Sequence, residues 1–317
     1  MLIFAHLILA ATHVLIPAGL ILWLWGRASN HQLDWIIRLL IVGCYVLWIF
    51  MSGRWDFLSY YVRYLLLILF ALAALASFLS VRPAPFFTHQ NFLWWASLGA
   101  RSLVLLLFAA LVLLTFRARR DDRPAVALGY PLNDGTYYVA HGGSNMTLNH
   151  HAAAPPQKYA LDITALDKLG RRAAGVLPRD LEQYVIFGEM VYSPCDGEVV
   201  AASDGLPDQT PPEADPTQPA GNHLWVRQAD VYILLAHLMK GSIMVKEGER
   251  VRRGQPLARV GNSGNTSEPH LHIHAVRFDG TPSTDSQFLL REGRAVPMLF
   301  DGRFLTRNTT FNARGKV

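Results

Sequence analysis

The stretch Glu268-Pro269-His270-Leu271-His272-Ile273-His274 places three histidines at alternate positions. Side chains on a β-strand alternate between its two faces. On a strand, all three imidazoles would therefore project to one face, while Leu271 and Ile273 would project to the other. Neutral imidazoles held side by side form a natural zinc site. A strand face that carries histidines and is merely solvated is the alternative explanation, so other parts of the chain must distinguish the two.

Composition limits the classes of protein to be considered. The chain has 317 residues, of which 51% are hydrophobic and 17% charged. Its length favours about two domains. The two cysteines, Cys44 and Cys195, lie far apart in sequence and provide neither a disulfide framework nor a thiolate metal site. The net charge of +5 is scattered instead of forming a basic stripe, so we expect no nucleic-acid partner.

Four long apolar runs fill the N-terminal third of the chain. They cover about residues 2–25, 35–51, 60–79 and 92–116. Each approaches or exceeds the roughly 20 residues that a helix needs to cross a bilayer. A buried core helix explains one such run but not four in succession. We therefore predict an α-helical membrane domain over residues 1–120, with about four transmembrane helices and the lipid bilayer as a partner, or three if the second run lies at the interface.

A β-rich domain is predicted over residues 121–317. After Phe116 comes a charged junction, and then a region rich in Gly, Pro, Asp and Asn. Short strand-like pieces separated by turn residues recur at 136–140, 158–163, 197–202, 223–227, 231–235, 257–260 and 270–276. This pattern favours an all-β fold, an antiparallel sheet or a barrel-like structure. We also predict a short helix near 177–184 and a long surface loop at 205–221.

Two polar side chains stand at the ends of apolar strand segments. Asp162 lies in Tyr159-Ala160-Leu161-Asp162-Ile163, and His237 follows Ile233-Leu234-Leu235-Ala236. Taken alone, Asp162 is equally explained as the start of a turn. In the same way, His237 is equally explained as a hydrogen-bonded histidine at a core edge.

Several segments in the same order resemble the lysostaphin-type (LytM-like) zinc endopeptidases. Ala236-His237-Leu238, Val260-Gly261-Asn262-Ser263-Gly264-Asn265-Thr266 and Pro269-His270-Leu271-His272 resemble the C-terminal half of that family's domain. Ser193-Pro194-Cys195-Asp196-Gly197-Glu198-Val199-Val200 resembles its first core hairpin. The resemblance covers about residues 159–276 and does not include the apolar runs.

The resemblance implies roles for four of these residues. Asp162 and His272 would be ligands of a Zn²⁺ cofactor, and His237 and His270 would be the catalytic pair beside the zinc-activated water. Three protein ligands leave zinc one position for water, whose pKa the metal lowers. Imidazoles beside that water can accept and donate protons. The resemblance gives no role to His274.

The first zinc ligand departs from the family's pattern. The family places it four residues before the aspartate, where this chain has Lys158. His150 and His151 lie close upstream, before a flexible Ala-Ala-Ala-Pro-Pro-Gln linker. We predict that His151 is the ligand, with His150 as the alternative and His141 as a more distant candidate. If none of the three reaches Asp162, the metal site is incomplete.

The resemblance implies a membrane-anchored zinc metalloendopeptidase that hydrolyses peptide bonds of bacterial peptidoglycan. The alternative is a catalytically inactive LytM-like domain that binds cell wall or a partner hydrolase. Peptidoglycan peptides are thus the expected partner, and a membrane protein or a cell-wall protein is a second candidate.

The implied location is the bacterial cytoplasmic (inner) membrane, with several crossings and an extracytoplasmic C-terminal domain. The positive-inside rule predicts the opposite orientation, with the C-terminal domain in the cytoplasm. Five arginines would share one side with this domain, against Arg27 and Arg82 on the other. The five are Arg54, Arg117, Arg119, Arg120 and Arg123.

Overall fold

The structure, a computed structural model, describes residues 7–26, 29–280, 282–283 and 285–312. Arg27 and residues 2–6 of the first predicted apolar run lie outside the described residues. The chain divides into two compact units. The first comprises the residues up to Trp55 together with Tyr61–Phe116, and the second comprises Asp56–Tyr60 together with the residues from Arg117 onward.

The first unit contains four long apolar helices. They are α1 (Leu7–Gly26), α2 (Gln32–Ser52), α3 (Val62–Val81) and α4 (Phe92–Ala118). Each is long and apolar enough to cross a membrane, by length and composition. Leu24, Val42 and Ile49 are buried among the helices, whereas many large apolar side chains of α3 and α4 are exposed. Exposed apolar helix faces of this kind are what a lipid environment requires.

The second unit is mostly antiparallel β-structure, which confirms the predicted all-β domain. Its elements are β1 (Val126–Leu128), β2 (Thr136–His141), β3 (Leu161–Ala165), β4 (Met190–Tyr192), β5 (Gly197–Ser203), β6 (Asn222–Gln228), β7 (Val231–Leu238), β8 (Arg250–Val251), β9 (Pro256–Arg259), β10 (Leu271–Arg277), α5 (Ser286–Arg291), β11 (Arg294–Ala295), β12 (Met298–Phe300), β13 (Arg303–Phe304) and β14 (Thr310–Asn312).

The main sheet has the strand order β14-β2-β3-β10-β7-β6-β5-β8, with β11 also paired to β10. Two smaller sheets have the orders β1-β12-β13 and β4-β9, and β1 runs parallel to β12. Among the described residues the outer strands β14 and β8 do not pair with each other. The sheet is therefore open, and the expected barrel-like closure is not formed.

Strand β10 lies between β3 and β7 and separates two environments. Leu271 and Ile273 enter the main hydrophobic core, where each buried aliphatic side chain contributes about 1.5–3 kcal/mol. His272 and His274, one residue out of phase, are buried on the opposite face. The register pairs His272 with Asp162 of β3. Two sequence segments predicted to carry ligands are thus direct cross-strand neighbours.

The predicted helix near 177–184 is wrong. The structure has only a single 3₁₀ turn there, Leu181–Gln183, which begins after Asp180 accepts a hydrogen bond from the backbone of Glu182. Tyr184 then forms a β-bridge with Ala173, so the chain leaves the turn in an extended conformation. The apolar spacing reflects burial of Tyr184 and Ile186 in irregular structure instead of a helical face.

Candidate metal centre

Three side chains converge where β3 and β10 pair. His151 Nε2 lies 2.9 Å from each carboxylate oxygen of Asp162, and His272 Nδ1 lies 3.0 Å from Asp162 Oδ1. Donor atoms of the three residues all lie within 4.8 Å of one another. Two imidazoles and one carboxylate are a donor set that zinc binds in catalytic sites with a fourth position left open. The residues present therefore fit a zinc ion.

His151 reaches this point because its loop is tightly folded. In place of the flexible linker expected from the sequence, two 3₁₀ turns follow each other, His150–Ala153 and Pro155–Gln157. The buried Asn149 side chain ties the loop together. Its amide donates to three carbonyls, and its oxygen accepts from the backbone N–H of His151. The three carbonyls belong to Gly143, Lys158 and Ala160.

Sequence reasoning missed the role of Asn149 in holding the His151 loop together. An asparagine directly before a histidine pair is its only signal in the sequence, and short polar residues at such positions commonly begin a turn. Its three hydrogen bonds to backbone carbonyls become visible only in the folded chain.

A second group of donors shares Asp162. Donor atoms of His141, His150 and Asp162 also lie within 4.8 Å of one another. However, His141 Nδ1 contacts both His150 Nδ1, at 2.9 Å, and the Arg307 guanidinium, at 2.7 Å. A neighbouring positive charge and an occupied ring nitrogen both oppose a cation there. The geometry therefore favours His151 over His150 and His141 as the first ligand, an assignment that stays a prediction.

His237 and His270 lie beside the three donors. Their ring centroids are 4.8 Å apart, and His270 Nε2 lies 3.5 Å from Asp162 Oδ1. His237 Nδ1 is 2.9 Å from the carbonyl oxygen of Ser263, and His270 Nδ1 is 2.9 Å from that of Glu268. Since a carbonyl only accepts, each Nδ1 carries the hydrogen, and each Nε2 is left to exchange a proton.

His237 adopts an uncommon backbone conformation. Its φ is +62°, in the left-handed region that non-glycine residues rarely occupy. Its backbone N–H donates to the Ala220 carbonyl, and its own carbonyl accepts from the N–H of Gly261. Residues held in this region cost of order 1–3 kcal/mol and cluster at functional sites. The surrounding loops thus hold the His237 ring where β7 ends.

Burial and charge set the protonation of the cluster. Burial alone would raise the pKa of Asp162, but positive charge on His151 and His270, with their hydrogen bonds, lowers it well below its usual value. Burial lowers the pKa of His272 to about 4 and that of His237 well below its usual value. His270 differs: burial opposes its protonation, but the Asp162 carboxylate outweighs this and raises its pKa. Asp162 and His272 are thus in their metal-binding protonation states at neutral pH.

His274, to which the resemblance gave no role, lies directly beside the proposed ligand His272. Its Nδ1 lies 2.9 Å from His272 Nε2, and its ring meets the edge of Trp225. With zinc bound at Nδ1, His272 would carry its hydrogen on Nε2 and donate it to His274 Nδ1. Partners of this kind fix the orientation and tautomer of metal-ligating histidines.

A cleft of about 210 Å³ opens at the cluster. It is lined by His150, His151, Gln157, Pro219, Ala220, Leu234, Ala236, His237, Asn265, His272 and Leu290. Pro219 and Ala220 end the long loop predicted from the sequence. That loop is bonded along the Asn262–Gly264 backbone, since Gln209 N–H donates to Asn262 and Asp215 N–H donates to Gly264. The loop therefore forms one wall of the cleft.

Residues 184–284 match the family described as Peptidase family M23, which confirms the family resemblance for that segment. His237, His270 and His272 lie inside the match, whereas His151 and Asp162 precede it. Two curated proteins of Vibrio cholerae serotype O1 are similar. Peptidoglycan DD-endopeptidase ShyA is 35% identical over 88 residues, which are 28% of this chain and 20% of that protein. Peptidoglycan DD-endopeptidase ShyC is 33% identical over 81 residues, 25% of this chain and 17% of that protein.

The chain thus spans about a fifth of the length of the curated relatives it matches. Among solved structures, a zinc-containing peptidase from Vibrio cholerae matches with 23% identity and a TM-score of 0.30, covering 48% of this chain and 37% of that one. LytU matches with 23% identity and a TM-score of 0.24, covering 31% of this chain and 59% of that one.

Proposed function

We propose that the chain, whose residues 184–284 match peptidase family M23, is a membrane-anchored zinc metalloendopeptidase. The observation that carries the proposal is the arrangement around Asp162. Three zinc-type donors converge there, and the imidazoles of His237 and His270 lie beside them. The residues from 121 onward would form the catalytic domain, and the four apolar helices would anchor it.

His151, Asp162 and His272 would hold the zinc. The bound ion would act as a Lewis acid and supply a water of lowered pKa for attack on a peptide carbonyl. Because Nδ1 of each ring faces a backbone carbonyl, His270 and His237 would each use Nε2, one to accept a proton and the other to donate one to the leaving amine. A protonated Nε2 of His237 or His270 that is directed at the substrate carbonyl oxygen would stabilise the negative charge that develops on that oxygen.

Peptide bonds in bacterial peptidoglycan are the proposed substrate. This choice is supported by the similarity of the domain to two peptidoglycan DD-endopeptidases. Such a substrate places the catalytic domain outside the cytoplasmic membrane, against the distribution of arginines around the helices. Because long domains cross membranes largely regardless of flanking charge, we give the substrate more weight. Alkaline phosphatase fused after residue 312 should be active, and an inactive fusion at normal expression would contradict this orientation.

The activity is tested with the full chain in detergent, loaded with zinc and mixed with cross-linked peptidoglycan. We expect cross-linked muropeptides to be converted to uncross-linked ones with the release of new amino groups. A chelator should stop the reaction, and added zinc should restore it. Intact substrate after incubation with zinc-loaded protein would contradict the proposal, and co-sedimentation with that intact substrate would favour the binding-domain alternative.

A further inference from the structure

A buried ion network lies behind the proposed catalytic pair, in the second unit. Arg172 is 1% exposed and lies between two carboxylates, those of Asp56 and Glu268, which are 0% and 7% exposed. Its Nε is 2.7 Å from Glu268 Oε2 and 3.8 Å from Asp56 Oδ2. Its Nη2 also donates to the carbonyl of Val176 at 2.7 Å. Buried charges persist when they are paired in this way, and removing one partner is costly.

Asp56 and Phe57 hold Arg172 from one side. The backbone N–H of Arg172 donates to the Asp56 carbonyl at 3.2 Å. The Phe57 ring covers the guanidinium, with its centroid 3.6 Å from Arg172 Cζ. A planar guanidinium stacks on an aromatic face in a way that an ammonium group does not reproduce. The position of Arg172 is therefore set by main chain, carboxylate and ring together.

Asp56 and Phe57 belong to the short segment Asp56–Tyr60, which is also held at its other end. The backbone N–H of Tyr60 donates to the Gly170 carbonyl at 2.8 Å, and Ser59 Oγ donates to the Leu169 carbonyl at 2.6 Å. In sequence the segment lies between α2 and α3, yet it belongs to the unit that carries the zinc-type donors.

Glu268 connects the network to His270. The Glu268 side chain is held by Arg172, and its main-chain carbonyl accepts from His270 Nδ1 at 2.9 Å and from Thr266 Oγ1 at 2.7 Å. Pro269, which has a fixed φ, is the one residue between them. A displacement of Glu268 is therefore passed directly to the carbonyl that orients the His270 ring.

We infer that Asp56 and Phe57 are positioning residues of the peptidase site, which act through Arg172 and Glu268 on the orientation of His270. The inference rests on the proposed function for its effect on rate. The site is thus completed by residues that precede the whole β-rich part of the sequence and connect two apolar helices.

The test compares full-chain variants. Asp56→Asn removes one charge at constant shape, Phe57→Leu keeps apolar volume without the aromatic face, and Glu268→Gln keeps the carbonyl that bonds to His270. We expect each to lower kcat about tenfold, because small misplacements of a catalytic group are costly, with KM within about twofold and the bound zinc unchanged. Ser59→Ala is the matched control in the same segment and should keep the wild-type kcat.

The double variant Asp56→Asn/Glu268→Gln should be no slower than the worse single variant, because residues of one network do not act additively. Unchanged kcat in Asp56→Asn and Phe57→Leu, while the wild type is active, would overturn the inference. The inference would also be overturned if Ser59→Ala lost as much kcat as Asp56→Asn and Phe57→Leu at the same fall in thermal midpoint, because the role of the segment would then be structural.

A second readout is independent of peptidase activity. The ring ¹⁵N signals of His270 report which nitrogen carries the hydrogen. We expect a protonated Nδ1 in the wild type and in Ser59→Ala, and altered ring shifts in Asp56→Asn and Phe57→Leu. If the wild type cleaves nothing, the proposed function fails, but these shifts still decide the inference: identical spectra would overturn it.

Discussion

The two histidine groups that share Asp162 differ in what surrounds them. His151 and His272 each direct a ring nitrogen at the carboxylate, and both line the cleft. His141 and His150 contact each other, and the Arg307 guanidinium bonds to His141 Nδ1. Neighbours in the sequence, His150 and His151, thus differ in their partners although both line the cleft. Metal-binding capacity depends on the charge and burial around an imidazole as much as on the imidazole itself.

The largest effect is expected from Asp162, the residue common to both groups. Asp162→Asn removes the buried negative charge while keeping the shape, so zinc should be lost from the protein and peptidase activity should become undetectable. Metal analysis and the peptidoglycan assay measure this. Asp167→Asn, an aspartate in the turn after the same strand, is the control and should keep zinc. Full zinc occupancy in Asp162→Asn would contradict the placement of the site.

Removing either member of the catalytic pair should lower the rate of peptide cleavage without lowering the zinc content. His237→Ala and His270→Ala are each expected to lower kcat by about 10²–10⁴, because proton transfer is lost. Zinc content should stay near that of the wild type, since neither residue is a proposed ligand. A variant that loses its zinc together with its activity would show that the residue belongs to the ligand set instead.

A smaller effect is expected at His274. With zinc on Nδ1, His272 would carry its hydrogen on Nε2, and His274→Phe removes the acceptor of that hydrogen. We expect zinc affinity to fall about 10–100-fold, as when other hydrogen-bond partners of metal-binding histidines are removed. His274→Gln retains an acceptor and should recover part of the affinity. Competition with a chromophoric chelator gives the dissociation constants. Equal affinities of His274→Phe and the wild type would limit His274 to packing against Trp225.

The smallest expected effect is a pH dependence of the thermal stability of the metal-free protein. Burial holds the pKa of His272 at about 4 and that of His274 well below its usual value, whereas unfolded histidines titrate near about 6.5. Between these values the unfolded chain binds more protons than the folded one, so stability decreases as pH falls from about 6.5 toward 4. Thermal midpoints across this range, with His274→Phe expected to show a weaker dependence, measure it. A midpoint independent of pH would contradict the burial of these rings.

The sequence predicted those features that depend on local patterns. Strand alternation placed His272 and His274 on one face of β10, and four apolar runs became four long helices. The position of His151 depends on Asn149 reaching three carbonyls, and the network at Arg172 depends on Asp56, far away in the sequence. Contacts of this kind leave no periodic pattern. The predicted helix at 177–184 failed for the opposite reason, because apolar spacing arose there from irregular burial.

Zinc stoichiometry tests the central claim most directly. It should be measured on the full chain and on His151→Ala and His150→Ala, which change neighbouring residues of the same type. We predict about one zinc per chain in the wild type and in His150→Ala, and none in His151→Ala, since the donor group that contains both Asp162 and His272 is completed by His151 and not by His150. A wild-type protein that stays metal-free after reconstitution, or a His151→Ala variant that retains its zinc, would contradict the account.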